Sequence, residues 1–175
     1  MRRLMLLRHA KAERSLPGEQ DRERGLLERG RKEASLIGGY IVTHALAPDG
    51  VLVSPAIRTQ QTWTCASAAF RPAPGATTIE RLYDASATTI LATIKDAPAR
   101  AHTLLVIGHN PGLHELAGLL IASGDVQTRE RLSEKLPTSG LVIVDFAIDE
   151  WARLHPHSGR LERFVTPKSL ETGDY

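Results

Sequence analysis

Short apolar runs bounded by charged or turn-forming residues recur along the chain and predict buried strands. They fall at Leu4–Arg8, Gly50–Val53, Thr77–Leu82, Thr103–Ile107 and Leu141–Phe146, with a sixth at Leu161–Val165. Between them, apolar residues recur at helical spacing over Leu26–His44, Ile57–Phe70, Thr88–Asp96 and Gly112–Ser123. Runs apolar on both faces need cover on both sides, so the alternation predicts an α/β fold. The expected form is a three-layer sandwich, a largely parallel central sheet flanked by helices on both faces. The pattern leaves the order of the strands open. Arg14–Arg24, with Pro17, Gly18 and many charges, reads as a mobile loop, and Asp125–Pro137 as a charged surface segment. The end of the chain, residues 167–175, is expected to be partly disordered. There is no internal repeat, and residues 1–175 are expected to form a single domain.

Composition narrows the function classes. The formal net charge is +2, which gives no reason to expect a nucleic-acid or membrane partner. Residues 1–35 nevertheless hold ten Lys/Arg against six Asp/Glu, read either as a solvated helix face or as the mouth of an anion site. Cys65 is the only cysteine, so no intrachain disulfide can form. Leu4–Leu7 is too short for the core of a signal peptide, and no stretch approaches the ~20 apolar residues that span a bilayer. A cytoplasmic protein is expected.

Two apolar runs end in a histidine, Leu6-Leu7-Arg8-His9-Ala10 and Val106-Ile107-Gly108-His109-Asn110-Pro111-Gly112. A third, Val51-Leu52-Val53, leads into Ser54-Pro55-Ala56-Ile57-Arg58. In open α/β sheets ligands sit outside the carboxyl ends of the strands, where Arg8, His9, Arg58 and His109 would all lie. Two guanidiniums hold a phosphate in a planar fork that lysine cannot copy, and histidine serves as nucleophile or acid/base near neutral pH. Pro111 suits a first helical turn and Asn110 an N-cap, which would aim free N–H groups at a bound anion. Neither metal nor cofactor is required. His114-Glu115 opens like a zinc-binding H-E-x-x-H helix, but Gly118 stands where the second histidine belongs, and His155 and His157 lack a third ligand.

Arg8-His9-Ala10 resembles the Arg-His-Gly signature of the histidine phosphatase (phosphoglycerate mutase-like) superfamily, and its short SixA-like branch of phosphohistidine phosphatases most of all. Three further pieces agree in order and spacing. Asp21 to Gly30 is similar to a D-x-x-R-x-L-x-x-x-G segment, Ser54-Pro55 to Thr62 to the second arginine motif, and Gly108-His109-Asn110-Pro111 to the second histidine motif. The resemblance spans roughly residues 3–146 and departs at Ala10, where most relatives carry glycine. It departs again at Asn110, where the acid phosphatase branch carries an aspartate.

The resemblance implies that His9 attacks phosphorus to give a phosphohistidine intermediate, while Arg8, Arg58 and His109 hold the phosphoryl oxygens. Arg24 and Asn110 are candidate substrate contacts, Arg24 having the plainer alternative of solvating its loop. Asp84, just past the strand ending near Leu82, is the first choice for the general acid, with Glu80, Asp21 and Glu115 as alternatives; Asp84 could instead cap the helix that follows. The expected partner is a phosphorylated protein bearing phosphohistidine, or a small phosphorylated molecule. A mutase-like transferase and a phosphate-binding module without turnover are the competing readings.

Overall fold

The computed structural model describes all 175 residues. The elements run β1 (Arg2–Arg8), α1 (Glu28–Thr43), β2 (Gly50–Val53), α2 (Ile57–Ser67), β3 (Ala76–Thr78), α3 (Ala87–Lys95), β4 (Thr103–Gly108), α4 (Gly112–Leu120), β5 (Ile121–Gly124), α5 (Val126–Glu134), β6 (Leu141–Phe146), β7 (Gly159–Val165) and α6 (Pro167–Thr172). The strands form one sheet in the order β3-β2-β4-β1-β6-β7-β5. Only β6 opposes the others, pairing antiparallel with both β1 and β7. The largely parallel three-layer sandwich is thus what the alternation of runs requires.

The central strands are buried on both faces. In β1, Leu4 and Leu6 point into a core beneath α3 and α4, which also takes Ile90, Ile94, Leu113 and Leu116. Met5 and Leu7 point the other way, against Ile37 and Ile41 of α1. Each such side chain removed from water contributes on the order of 1.5–3 kcal/mol, which explains why these runs are apolar throughout. No helix is long and apolar enough to cross a membrane.

Three local expectations are corrected and a fourth is sharpened. The strand expected over Thr77–Leu82 pairs only at Ala76–Thr78, after which the chain turns through a 3-10 segment, Glu80–Leu82, that buries Leu82. The helix expected to reach Ser123 ends at Leu120; Ile121 is extended, and Ile121–Gly124 joins the sheet edge beside β7. The charged segment 125–137 lies on the surface as expected and contains α5, whose start is capped by Asp125 accepting from the Thr128 N–H and which buries only Leu132, too little for an apolar period to show. The C-terminal stretch forms α6, closed in front by a Thr166–Ser169 capping box with Pro167 in the first turn, and behind by Gly173 in the left-handed conformation.

Register sets the functional edge. Arg8 pairs with Gly108 and Val53 with Ile107, so the carboxyl ends of β1, β2 and β4 finish level. His9, Ser54 and His109, the next residues of each strand, therefore emerge side by side. Gly30 fixes the adjoining layer: a Cβ there would lie 2.2 Å from the carbonyl oxygen of Lys11, because α1 rests directly on the chain leaving β1. Gly to Ala in a helix interior ordinarily gains about 1 kcal/mol, but overpacking costs about 1–3 kcal/mol, and two backbones cannot yield as side chains do. Gly30→Ala is accordingly expected to lose roughly 1–2 kcal/mol net, measured by urea unfolding; unchanged or higher stability would show that α1 can lift away freely.

Candidate active site

The level strand ends open into a polar cleft of about 270 Å³ lined by Arg8, His9, Lys11, Ala12, Arg24, Arg58, Asp84, His109, Asn110 and Thr138. Arg8, His9, Arg24, Arg58, Asp84, His109 and Asn110 thus meet in one place, whereas Asp21, Glu80 and Glu115 do not line it. The rings of His9 and His109 stand 5.4 Å apart, centre to centre.

His9 is oriented by its own backbone neighbour. Nδ1 lies 2.8 Å from the Ala10 carbonyl oxygen. A carbonyl can only accept, so Nδ1 carries the proton and Nε2 keeps its lone pair with no protein partner. Burial, with Arg58, Arg8 and Arg24 nearby, lowers the imidazole pKa to about 4 despite the Ala10 hydrogen bond. Near neutral pH the ring is uncharged and its free nitrogen nucleophilic. Ala10 suits the position where relatives carry glycine: its N–H donates to Thr62 Oγ1 at 2.9 Å, and its methyl group packs with Leu26 and Ala34.

His109 has the opposite tautomer. Arg58 Nη2 donates to Nδ1 at 3.3 Å, so the proton sits on Nε2, which donates to Ser54 Oγ at 2.7 Å. Burial first, then Arg58 and His9, lower its pKa to about 3. The ring of Tyr83 stands edge-on to it, with centres 5.6 Å apart.

The arginines are held by groups that leave part of each fork free. Arg58 is buried on α2 and binds Asp21 twice, through the carbonyl oxygen at 2.9 Å and the carboxylate Oδ2 at 3.0 Å. Asp21 also accepts from the Tyr83 hydroxyl and from Arg24 Nε, and these bonds, Tyr83 foremost, hold its carboxyl far below the usual range. Asp21 is therefore a permanent anion that positions Arg58 and Arg24, a role incompatible with a proton donor. Arg8 donates from Nη1 to the Leu136 carbonyl at 3.1 Å, and burial lowers its pKa. The Nε atoms of Arg8 and Arg58 are buried without a protein partner, and both side chains line the cleft.

The remaining candidates separate by position. Asn110 lines the cleft but does not cap α4: Pro111 holds that position, and Asn110 Nδ2 donates to the Leu136 carbonyl at 2.9 Å. Leu136 thereby holds Arg8 and Asn110 together, and Ser139 N–H donates to the carbonyls of Arg8 and His9. Asp84 is exposed on the rim with a left-handed φ of 51°; it does not cap α3, since Ser86 does. Glu80 lies outside the cleft, 3.2 Å from Arg22, and Glu115 lies outside it on α4. Sequence reading missed Tyr83, which bears no motif. It also missed the positioning roles of Ser54 and Thr62, although both lie inside the segment carrying Arg58.

At one edge of the α/β sheet the strand tips bring together two neutral imidazoles with one buried and one half-buried guanidinium, an arrangement suited to a phosphoryl group. No family profile matches the chain, but individual proteins do. A candidate phosphohistidine phosphatase SixA from Agrobacterium tumefaciens is 31% identical, with a TM-score of 0.80 over 95% of this chain and 98% of that one. A second, from Nakamurella multipartitia, is 25% identical with a TM-score of 0.80 over 95% of this chain and 96% of its own. An uncharacterized protein of Mycobacterium tuberculosis is 38% identical over 165 residues, 93% of this chain and all of that one. The chain belongs to the histidine phosphatase superfamily.

Proposed function

We propose that the protein hydrolyses phosphohistidine in proteins through a phosphohistidine intermediate of its own. The observation that carries this reading is the state of His9: neutral, with Nδ1 tied to Ala10 and Nε2 without a protein partner, in the cleft that Arg8 and Arg58 also line. Nε2 attacks phosphorus in line and the bond to the leaving nitrogen breaks. Arg8 and Arg58 stabilise the equatorial oxygens, whose charge is held more strongly in the transition state than in water, while His109, with both ring nitrogens engaged by Ser54 and Arg58, positions Arg58 rather than donating to the phosphoryl group. Water then attacks the phosphorylated His9, the N–P bond breaks, and inorganic phosphate leaves.

Asp84 is the rim carboxylate best placed to handle protons, and its exposure suits a weak demand. An imidazole leaves phosphorus more readily than an alkoxide does, so an N–P substrate needs less help from an acid. Asp84→Asn is expected to lower kcat/KM on a phosphohistidine peptide by less than about tenfold, but on an alkyl monoester by about a hundredfold. Equal losses on both would remove Asp84 from the proton path. The substrate reading is tested by rates on phosphohistidine, phosphoserine, phosphotyrosine and sugar phosphates side by side; equal rates on the O–P esters would contradict it.

The low histidine pKa values give a pH prediction with a definite sign. His9 and His109 titrate at about 4 and about 3 in the folded chain, against 6.5 for the free side chain. The unfolded chain therefore binds more protons between these values, and folding stability is expected to fall as the pH drops from 6.5 toward 4. Ring-proton shifts of His9 followed by NMR should show no inflection near 6.5 and one near 4; titration near 6.5 would mean that the ring is not desolvated.

A further inference from the structure

The phosphate cleft does not end at its own rim. A second depression of about 690 Å³ is lined by Lys11, Arg29, Glu33, Lys135, Lys168 and Glu171 among others. It shares Lys11 and Thr138 with the cleft of about 270 Å³, so the two adjoin. A substrate whose phosphorylated imidazole entered the cleft would have this second depression within reach of the polypeptide that carries it.

The charge of that second depression is one-sided. Arg29 is neutralised by Glu33 at 2.9 Å. Lys11, Lys135 and Lys168 are exposed and form no ion pair, and Glu171 is the one free carboxylate among the lining residues. The three lysines come from separate parts of the chain: just after β1, at the end of α5 and in the first turn of α6. The choice of cation differs from that in the cleft. Arginine forks suit a phosphoryl group of fixed position, whereas lysines are mobile point charges that can follow carboxylates whose positions vary from one substrate to another.

We propose that this groove binds an acidic stretch of polypeptide flanking the phosphorylated residue of the substrate. The inference rests on the phosphohistidine reading above and names the feature that would select among phosphoproteins. Exposed cations of this kind act through long-range attraction, so their effect falls on encounter and KM and is screened by salt.

The test compares the wild type with the double variant Lys135→Glu/Lys168→Glu, neither residue lining the phosphate cleft. Three substrates are used: a phosphohistidine peptide flanked by Asp and Glu, the same peptide flanked by Ser and Gly, and a small phosphoramidate. At low ionic strength the variant is expected to lose about tenfold in kcat/KM on the acidic peptide, mostly through KM, and less than about twofold on the other two. The difference should vanish at high salt. Equal loss on all three substrates, or no loss on the acidic peptide relative to the neutral one, would overturn the groove while leaving the phosphatase reading intact. If the wild type turns over none of the three, the phosphohistidine reading fails. The groove is then judged by fluorescence anisotropy with the unphosphorylated acidic peptide: about tenfold weaker binding to the variant supports it, and equal or absent binding overturns it.

Discussion

Replacing His9 with alanine is expected to lower kcat by at least about 10⁴-fold, since losing a covalent nucleophile removes the chemical step itself. The ring contributes at three levels. Its Nδ1–H is committed to the Ala10 carbonyl, so Nε2 faces phosphorus without tautomeric ambiguity. Its low pKa of about 4 keeps nearly every molecule in the reactive form near neutral pH. Its position at the tip of β1, level with β4, sets it beside His109 and the guanidiniums. Glutamine at this position would keep a polar group of similar reach but no nucleophilic nitrogen, and should be as inactive as alanine. Because His9 contributes little to the apolar core, binding of inorganic phosphate should fall far less than kcat. A His9→Ala enzyme retaining a tenth of wild-type turnover would mean that another group attacks phosphorus.

The second large effect is expected at Arg58. Removing one well-placed donor to a developing oxyanion costs roughly 3–4 kcal/mol, or 10²–10³-fold in rate, and Arg58→Ala is expected to fall in that range or beyond it. The larger figure is favoured because the side chain is buried between an anion, Asp21, and a neutral ring, His109. Its loss would also leave Asp21 without one of its partners and release the hydrogen bond that fixes the His109 tautomer. Lysine should rescue poorly: one ammonium cannot reach the Asp21 carbonyl, its carboxylate and the phosphoryl oxygens with the geometry of a fork. Both kcat and KM should worsen, since the guanidinium meets the phosphate in the ground state as well. A Lys variant close to wild type would show that only the positive charge matters. The two predictions are separable, since Arg58→Ala should still accumulate a small amount of phosphoenzyme whereas His9→Ala should accumulate none.

Much of this was legible in the sequence because its strongest signals are set by local physics. Buried parallel strands must be apolar on both faces, and that requirement shows as uninterrupted runs at Leu4–Leu7, Val51–Val53 and Leu104–Ile107. Residues following such runs stand at the carboxyl edge whatever the strand order, so Arg8, His9 and His109 could be placed on one edge while the order itself could not be known. The misses have equally physical origins. Helix α5 buries one residue, Leu132, and so carries no apolar period. Strand β5 is made of Ile121, Ala122, Ser123 and Gly124, which continue the composition of the preceding helix; only pairing with β7 makes them extended. Helix α6 did announce itself, through Thr166, Pro167, Ser169 and Gly173, and a closer reading of those capping residues would have found it. The role of Asp21 could not be read, because a carboxylate that orients arginines and one that donates a proton are the same residue until their partners are known. Arg24 is a local partner three residues on, but Arg58 and Tyr83 come from distant parts of the chain.

The central claim is that the phosphoryl group passes through Nε2 of His9, and the most direct measurement is to catch it there. Enzyme mixed with a phosphohistidine peptide carrying labelled phosphorus and quenched in denaturing alkali, where N–P bonds survive, is expected to retain label on a single peptide. That peptide should contain His9, with phosphorus on Nε2, and its label should appear and decay fast enough to account for turnover. Turnover without trapped label, or label on His109 or on a hydroxyl or carboxyl group, would contradict the account.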